Sequence, residues 1–251
     1  MSVQKPKLAS LKNEILIHGP SLAIGAVIAA VSILVSFVAF SAINNEPELV
    51  IEPAPNVQDV IQPSAISSTF TANGSPILGD SNAPITLVEF GDYQCHFCNV
   101  HFHNTEHDLL VNYIETGKVK MIFKDFTIIG PDSINAAHGA HCADDQGKFW
   151  KYHDILYNNW TGENNGWASS DNLLLFAQEI ELDVDQWSDC MINAKYSQII
   201  TDSSKDARDL GITGTPAFFV IGPDNTITKI SGAQPYENFE KIFNSELEKL
   251  S

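Results

Sequence analysis

The chain has 251 residues, of which 44% are apolar, so it is long enough for one or two domains with a buried core. Acidic residues outnumber basic ones by 31 to 14, and the formal net charge is −17. A surface of this sign repels nucleic acid and anionic lipid, which argues against both as partners.

An uncharged apolar stretch near the N-terminus predicts a single membrane anchor. Residues 21–43 hold no charged side chain, and a helix needs roughly 20 residues to cross a bilayer. Lysines precede the stretch and glutamates follow it, so the positive-inside rule leaves residues 1–20 in the cytoplasm and exports the rest. A cleaved signal peptide is the alternative, because Ala39-Phe40-Ser41 loosely fits a small-x-small cleavage site. Both interpretations place the cysteines outside the cytoplasm.

Residues 44–76 are predicted to form a flexible linker. Five prolines interrupt this stretch, small polar residues are frequent, and no hydrophobic period persists. The globular domain is therefore predicted to span residues 77–251.

The first half of this domain predicts a strand–helix–strand unit. The apolar, β-branched run 85–90 indicates a buried strand, residues 95–113 a helix, and residues 119–126 a second strand. This order implies that the two strands are parallel.

The second half begins with a long helical block, from residue 131 to about 210. Residues 217–221 and 226–230 then predict a β-hairpin, and an amphipathic helix follows Pro235. One α/β domain with a helical insertion fits this order best.

The motif Cys95-His96-Phe97-Cys98 lies between the first predicted strand and its helix. Cys95 is then at a helix N-terminus, where free backbone N–H groups and the helix dipole stabilise a thiolate. Cys98 lies one turn further on, within reach for the disulfide that thiol–disulfide exchange requires. A protonated His96 adds positive charge beside the thiolate. A metal knuckle and a structural disulfide are the alternatives for an isolated C-x-x-C pair.

Two further features favour redox chemistry. Glu89 lies on the apolar strand six residues before Cys95, so an acidic group is expected beneath the motif; a carboxylate at a sheet edge is the alternative. Thr215-Pro216 opens a strand after a helix. A cis bond there would bring bare backbone up to a disulfide.

Three stretches carry a family pattern, at residues 78–98, 146–150 and 211–216. They resemble the DsbA-like thiol–disulfide oxidoreductases of the thioredoxin superfamily, in the same order, and the likeness covers residues 77–251. The resemblance implies a thioredoxin fold with a helical insertion. It also implies an activity that forms, reduces or rearranges disulfides in exported proteins.

The resemblance also assigns roles to single residues. By matching positions, Cys95 is expected to be the exposed nucleophile and Cys98 its buried partner. Pro216 is expected to be a cis-proline facing them, with Thr215 offering backbone hydrogen bonds to a substrate chain. Glu89 matches a buried acidic position, where it helps to move the proton of Cys98.

The two remaining cysteines, Cys142 and Cys190, lie in the helical block, 48 positions apart. In an oxidising compartment we expect a structural disulfide between them. Two buried thiols that never meet are the alternative, because helix geometry can forbid the bond.

Three histidines follow the motif, and Cys95, Cys98 and His101 could bind zinc or copper. His101 and His103 are two residues apart on a helix and point to different faces, so they cannot easily converge on one ion. We interpret His101, His103 and His107 as a solvated polar face and expect no metal.

We therefore predict an anchored, extracytoplasmic enzyme, without a cofactor, that oxidises dithiols of exported proteins. A quinone-linked membrane protein is the expected reoxidant. Relatives often have proline at the first position between the cysteines, and strongly oxidising relatives often have histidine at the second. Here His96 is at the first position and Phe97 at the second. This departure leaves the direction of electron flow open. A reductase or isomerase is one alternative, and a non-redox metal-handling or chaperone-like binding module is another.

Overall fold

A computed structural model describes residues 68–251. The predicted cytoplasmic tail, the anchor at residues 21–43 and most of the predicted linker lie outside this range. Among residues 68–251, no helix combines the length and the apolar character needed to cross a bilayer.

Residues 85–251 form a four-stranded mixed sheet and seven helices. The strand order is β2-β1-β3-β4, with β1 and β2 parallel and the other pairs antiparallel. In chain order the elements are β1 (Ile85–Gly91), α1 (from His96 to Ile114), β2 (Val119–Asp125), α2 (Pro131–Asp144), α3 (Phe149–Asn158), α4 (Ser170–Glu179), α5 (Val184–Ile192), α6 (Ser197–Asp209), β3 (Ala217–Ile221), β4 (Ile227–Ser231) and α7 (Tyr236–Glu248). The predicted α/β architecture with a helical insertion is confirmed.

The central strand β1 is buried along its whole length because helices cover both faces of the sheet. Its odd-numbered residues Ile85 and Leu87 pack in a cluster with side chains of α1 and α7. Val88 and Phe90 pack on the opposite face, in a cluster that includes Ala207 of α6. Side chains alternate along a strand, so Glu89 shares the face of Ile85 and Leu87. This alternation places a carboxyl group in the core.

The insertion is held together by polar contacts as well as by its apolar core. Trp187 of α5 donates from its indole nitrogen to the Gly139 carbonyl of α2 at 3.0 Å. Gly139 has no side chain, and a Cβ there would lie 2.8 Å from the Tyr152 ring. Cys142 of α2 is bonded to Cys190 of α5. The disulfide expected from the sequence thus joins two helices of the insertion.

The predicted linker ends too late in the sequence, because its last residues pack on the domain. Phe70 is buried against Phe219 of β3, with 4.8 Å between ring centroids. The amide of Ser75 donates to the carbonyl of Phe123 in β2 at 2.8 Å. These contacts could not be predicted from the sequence, because a single apolar side chain and a single backbone hydrogen bond in a polar, proline-containing segment leave no periodic pattern.

Candidate active site

The turn after β1 sets the position of the first cysteine. The Cys95 amide donates to the Asp92 carbonyl at 2.9 Å, and Cys95 is the N-cap residue of α1. The buried Asp92 carboxylate accepts from the amides of Gln94 at 2.9 Å, Ile128 at 2.8 Å and Ile129 at 3.1 Å. Asp92 thereby fixes the turn to the loop after β2. Asp92 was not among the predicted site residues, although an Asp directly after a strand is a signal for such a turn.

The Cys95 sulfur lies against the start of β3. Its Sγ is 3.3 Å from the Thr215 carbonyl oxygen, and the Thr215–Pro216 bond is cis. Hydrogen bonds from the side chains of Cys98 and Thr215 and from the amides of Cys98 and Phe97 lower the pKa of Cys95 to about 6, against the opposing effect of burial. A thiol with this pKa is largely ionised at neutral pH and is a good nucleophile.

The expectation that Cys95 is exposed needs correction. The residue is only 5% exposed, because it packs within the cluster formed with the helical insertion.

Cys98 lies one helical turn later, in surroundings that differ completely from those of Cys95. It is 1% exposed, and burial raises its pKa well above the ordinary value, as do the Cys95 sulfur and the charge of Glu89. The two sulfurs are not bonded to each other in this structure. The reduced pair thus consists of one thiolate and one thiol.

His96 and Phe97, between the cysteines, form the exposed rim of the site. The Phe97 side chain is 59% exposed, which is unusual for a large apolar residue. The His96 ring lies 5.5 Å from the Trp160 ring, centroid to centroid. Trp160 belongs to the loop between α3 and α4 and donates to the Gln94 carbonyl at 2.9 Å. The insertion therefore supplies one wall of the active site.

The same loop places a carboxylate at the N-terminus of α1. Glu163 accepts a hydrogen bond from the His96 amide at 3.0 Å. The loop is held there by Asn164, whose amide donates to the Gln94 side chain at 2.9 Å. No sequence signal identified Glu163, because the contact joins segments 67 positions apart.

Glu89 lies in the core behind the motif, and the alternative of a carboxylate at a sheet edge is wrong. It is 1% exposed, and burial raises its pKa well above the ordinary value, together with the charges of Glu106 and Cys95. The Coulombic interaction with both cysteines places it within electrostatic reach of the pair.

His101 is buried, so its assignment to a solvated polar face is wrong. Its exposed fraction is 0%, and its ring lies 4.5 Å from that of Phe218 and 5.4 Å from that of Phe239. His103 and His107 are exposed as expected. The physical reason is helical spacing: His101 is three residues after the buried Cys98 and shares its face.

One group among the described residues could hold a metal ion, formed by Glu89, His101 and Glu106. Cys95, Cys98 and His101, the set weighed as an alternative metal site in the sequence, are not among the groups with that geometry in residues 68–251.

Two thiols arranged in this way can exchange electrons with a substrate by breaking and forming their own disulfide. The fold and the site together define a thiol–disulfide oxidoreductase.

Comparison with known proteins gives the family. The family model described as thioredoxin matches residues 71–245. The probable disulfide bond formation protein D of Bacillus cereus is 30% identical over 177 residues, which cover 68% of this chain and 78% of that protein. This chain belongs to the thioredoxin family and is a DsbA-like oxidoreductase.

Solved structures agree with this assignment. Wolbachia pipientis alpha-DsbA1 superposes with a TM-score of 0.62 and 25% identity, over 69% of this chain and 90% of that one. Oxidised BdbD from Bacillus subtilis has the same TM-score at 23% identity, over 69% and 92% of the two chains, and shows the same fold.

Proposed function

We propose that this protein oxidises pairs of cysteines in exported proteins to disulfides, with Cys95 as the nucleophilic sulfur and Cys98 as its partner. The observation that carries the proposal is the placement of Cys95 at the N-terminus of α1 next to the buried Cys98, and the lowered pKa of Cys95 supports it. Stabilising the Cys95 thiolate stabilises the reduced enzyme, which makes its disulfide a stronger oxidant.

The reaction begins with the Cys95–Cys98 disulfide. A substrate thiolate attacks Cys95, the Cys95–Cys98 bond breaks, and Cys98 leaves as a thiolate that takes up a proton. A second substrate thiol loses its proton and attacks the mixed disulfide, and Cys95 leaves as a thiolate. The substrate gains one disulfide and loses two electrons, which the reduced enzyme then holds. Glu89 is the proposed proton donor to Cys98, and Thr215 the backbone site that aligns the substrate chain.

The proposed location is the outer side of a membrane, with residues 21–43 as the anchor and residues 1–20 in the cytoplasm. The support is the uncharged stretch and the charge difference across it. A quinone-linked membrane protein is the proposed reoxidant, because an anchored domain stays within its reach. The proposed substrates are exported proteins with cysteines.

Trapping a substrate tests the redox direction. The oxidised protein is mixed with a reduced, unfolded client that has two cysteines, and the client disulfide is followed by mass spectrometry. We expect client oxidation. For Cys98→Ser, Cys95 is first converted to its mixed disulfide with 5-thio-2-nitrobenzoate, and we expect a client thiolate to displace that thiolate and stay disulfide-bonded to Cys95. If the protein leaves the dithiol client unchanged but reduces the disulfide form, the oxidase proposal is wrong.

Protease protection tests the location. We expect the untreated chain of expressing cells to be recovered in the membrane fraction. Protease added on the extracytoplasmic side should digest the domain. Recovery of the whole chain in the soluble fraction would contradict anchoring.

A further inference from the structure

Three buried polar side chains meet beneath the redox pair, and the steps above use only one of them. Glu89 of β1 and His101 and Glu106 of α1 each contribute one oxygen or nitrogen, and these atoms lie within 4.8 Å of one another. Glu89 and His101 are almost completely buried, and Glu106 is 8% exposed.

The cluster contains polar atoms that the rest of the protein does not satisfy. Among the described residues, Glu89 Oε2 and both ring nitrogens of His101 have no hydrogen-bond partner. The Nε2 atom of His153, which also has none, lies 3.6 Å from Glu106 Oε1. Buried polar atoms without partners cost free energy, so groups retained in this state need a reason.

Glu106 connects the cluster to the surface. It lines a cavity of about 250 Å³ together with Phe102, His103, His107 and Asp154. His103 and His107 are exposed side chains. The cluster therefore has one end at Glu89, within electrostatic reach of Cys98, and the other at a cavity that opens beside exposed histidines.

We propose that His101 and Glu106 form a proton path between Glu89 and this surface cavity. The inference rests on the proposed redox function of Cys95 and Cys98. When the disulfide breaks, the Cys98 thiolate takes a proton from the Glu89 carboxylic acid. The Glu89 carboxylate then regains a proton from solvent through Glu106 and His101. When Cys98 attacks a mixed disulfide at Cys95, the proton moves outward along the same groups.

The chemistry of the three groups suits this role. Burial and the charge of Glu106 favour a protonated Glu89, and burial lowers the pKa of His101 to about 4, so its ring is neutral at pH 7. A neutral imidazole has one donor and one acceptor nitrogen, and it can accept a proton on one while releasing another. A bound divalent cation would need the Glu89 carboxylate ionised, which burial opposes.

Other titratable groups surround the path and belong to its electrostatics. They are Cys95 and Cys98 of α1, Tyr93 of the preceding turn, Asp125 of β2, and His153, Asp154 and Tyr157 of α3.

Single-turnover oxidation of the reduced full chain in detergent tests the path. One equivalent of 5,5′-dithiobis(2-nitrobenzoate) releases a first coloured thiolate when Cys95 attacks and a second when Cys98 expels the reagent from Cys95. We expect Glu106→Gln to slow the second phase at least about tenfold, a smaller loss than the roughly 100- to 10,000-fold effect of a group that transfers the proton directly, and to leave the first phase unchanged. Glu106→Asp should restore part of the rate, and Glu115→Gln, an exposed carboxylate at the end of the same helix, should behave as wild type.

The pH profile separates a proton path from a purely electrostatic effect. If Glu106→Gln removes the path, the second-phase rate should be lower at every pH. His101→Phe, which keeps an aromatic ring between Phe218 and Phe239, should lower this rate as well. A profile that only shifts along the pH axis, or an unchanged second phase in both variants, would refute the path. Stoichiometric zinc retained by the oxidised wild type and lost in Glu106→Gln would also overturn it, in favour of a metal site. A wild-type protein without a second phase would refute the redox function itself.

Discussion

The two active-site thiols differ because their surroundings differ. Cys95 is the N-cap of α1 and accepts hydrogen bonds that lower its pKa to about 6, whereas burial raises the pKa of Cys98. Only one of the two sulfurs is therefore charged at neutral pH. The charged sulfur faces the cis-proline side, and the neutral one faces Glu89.

This asymmetry predicts the pH dependence of alkylation. In the reduced protein, the reaction of Cys95 with iodoacetamide should rise with pH and reach half its maximum near pH 6, while Cys98 stays unreactive up to alkaline pH. The measurement is the rate of alkylation by mass spectrometry of peptides. A midpoint near the ordinary thiol value of 9.0 would contradict the account of the site.

The same pKa predicts a difference in stability between the two redox forms. A lowered folded-state pKa contributes stability above the unfolded value near 9, and this contribution is lost as pH falls through about 6. The Tm of the reduced form should therefore fall relative to that of the oxidised form as pH drops from 9 to 5. The oxidised form, whose cysteines do not titrate, is the control, and equal pH profiles for both forms would contradict the prediction.

The negative charge of Glu163 disfavours the thiolate form of Cys95. Its carboxylate occupies the His96 amide at the positive end of α1. Glu163→Gln keeps a hydrogen-bond acceptor and removes the charge, so we expect the pKa of Cys95 to fall by roughly 0.2–0.7 units, the usual strength of a charge at a helix end. Alkylation rates against pH measure this. Glu248→Gln, an exposed carboxylate on α7, is the control, and an equal or higher pKa in Glu163→Gln would refute the effect.

At the scale of secondary-structure elements, α1 has an irregular winding. Its α-helical turns, His96–His101 and His107–Leu109, alternate with π-helical turns at Phe102–Glu106 and Leu110–Ile114. A π turn rotates the residues after it relative to α-helical spacing. Glu106, at the end of the first π turn, is buried while its neighbour His107 is exposed. The winding thus brings a second carboxylate to Glu89.

The disulfide between α2 and α5 is predicted to stabilise the insertion without tuning the redox pair. Replacing Cys142 and Cys190 together by alanine should lower the free energy of unfolding of the oxidised protein by about 2–4 kcal/mol. Denaturant titration measures this. The reduction potential of the Cys95–Cys98 pair should stay the same, and a large shift in it would show that the insertion's disulfide acts on the active site.

The sequence was sufficient for the elements and for the residues next to the motif. Hydrophobic runs defined the strands, and local spacing placed Cys95 at a helix start and Cys98 one turn later. Glu163 and Glu106 were not predictable in the same way. Glu163 reaches the site through a loop far away in the chain, and the position of Glu106 depends on a π turn that has no simple periodic signature. His101 was predictable from its spacing to Cys98, once Cys98 is taken as buried.

At the scale of the whole molecule, residues 68–76 pack on the domain before β1 begins. The Lys124 ammonium is completely buried, donates to the carbonyls of Thr69 and Ala72, and pairs with Asp206 of α6 at 2.7 Å. A buried charge is stable only with such partners. Residues 69–76 therefore belong to the folded unit.

Truncation tests where the folded unit begins. A chain starting at residue 77 should have a free energy of unfolding about 3–5 kcal/mol lower than one starting at residue 60, because it lacks the buried Phe70 ring and the carbonyl partners of Lys124. It should therefore unfold at a lower denaturant concentration. Equal unfolding midpoints would mean that the segment contributes nothing to the fold.

The central claim concerns the direction of electron flow, and the reduction potential of the Cys95–Cys98 pair tests it most directly. The protein is equilibrated with glutathione buffers, with Cys142 and Cys190 replaced by alanine if that variant folds, and the two redox forms are counted by mass after alkylation. The low pKa of Cys95 predicts a potential toward about −120 mV, as for a strong dithiol oxidant. A value near about −270 mV would identify a reductase and contradict the proposed function.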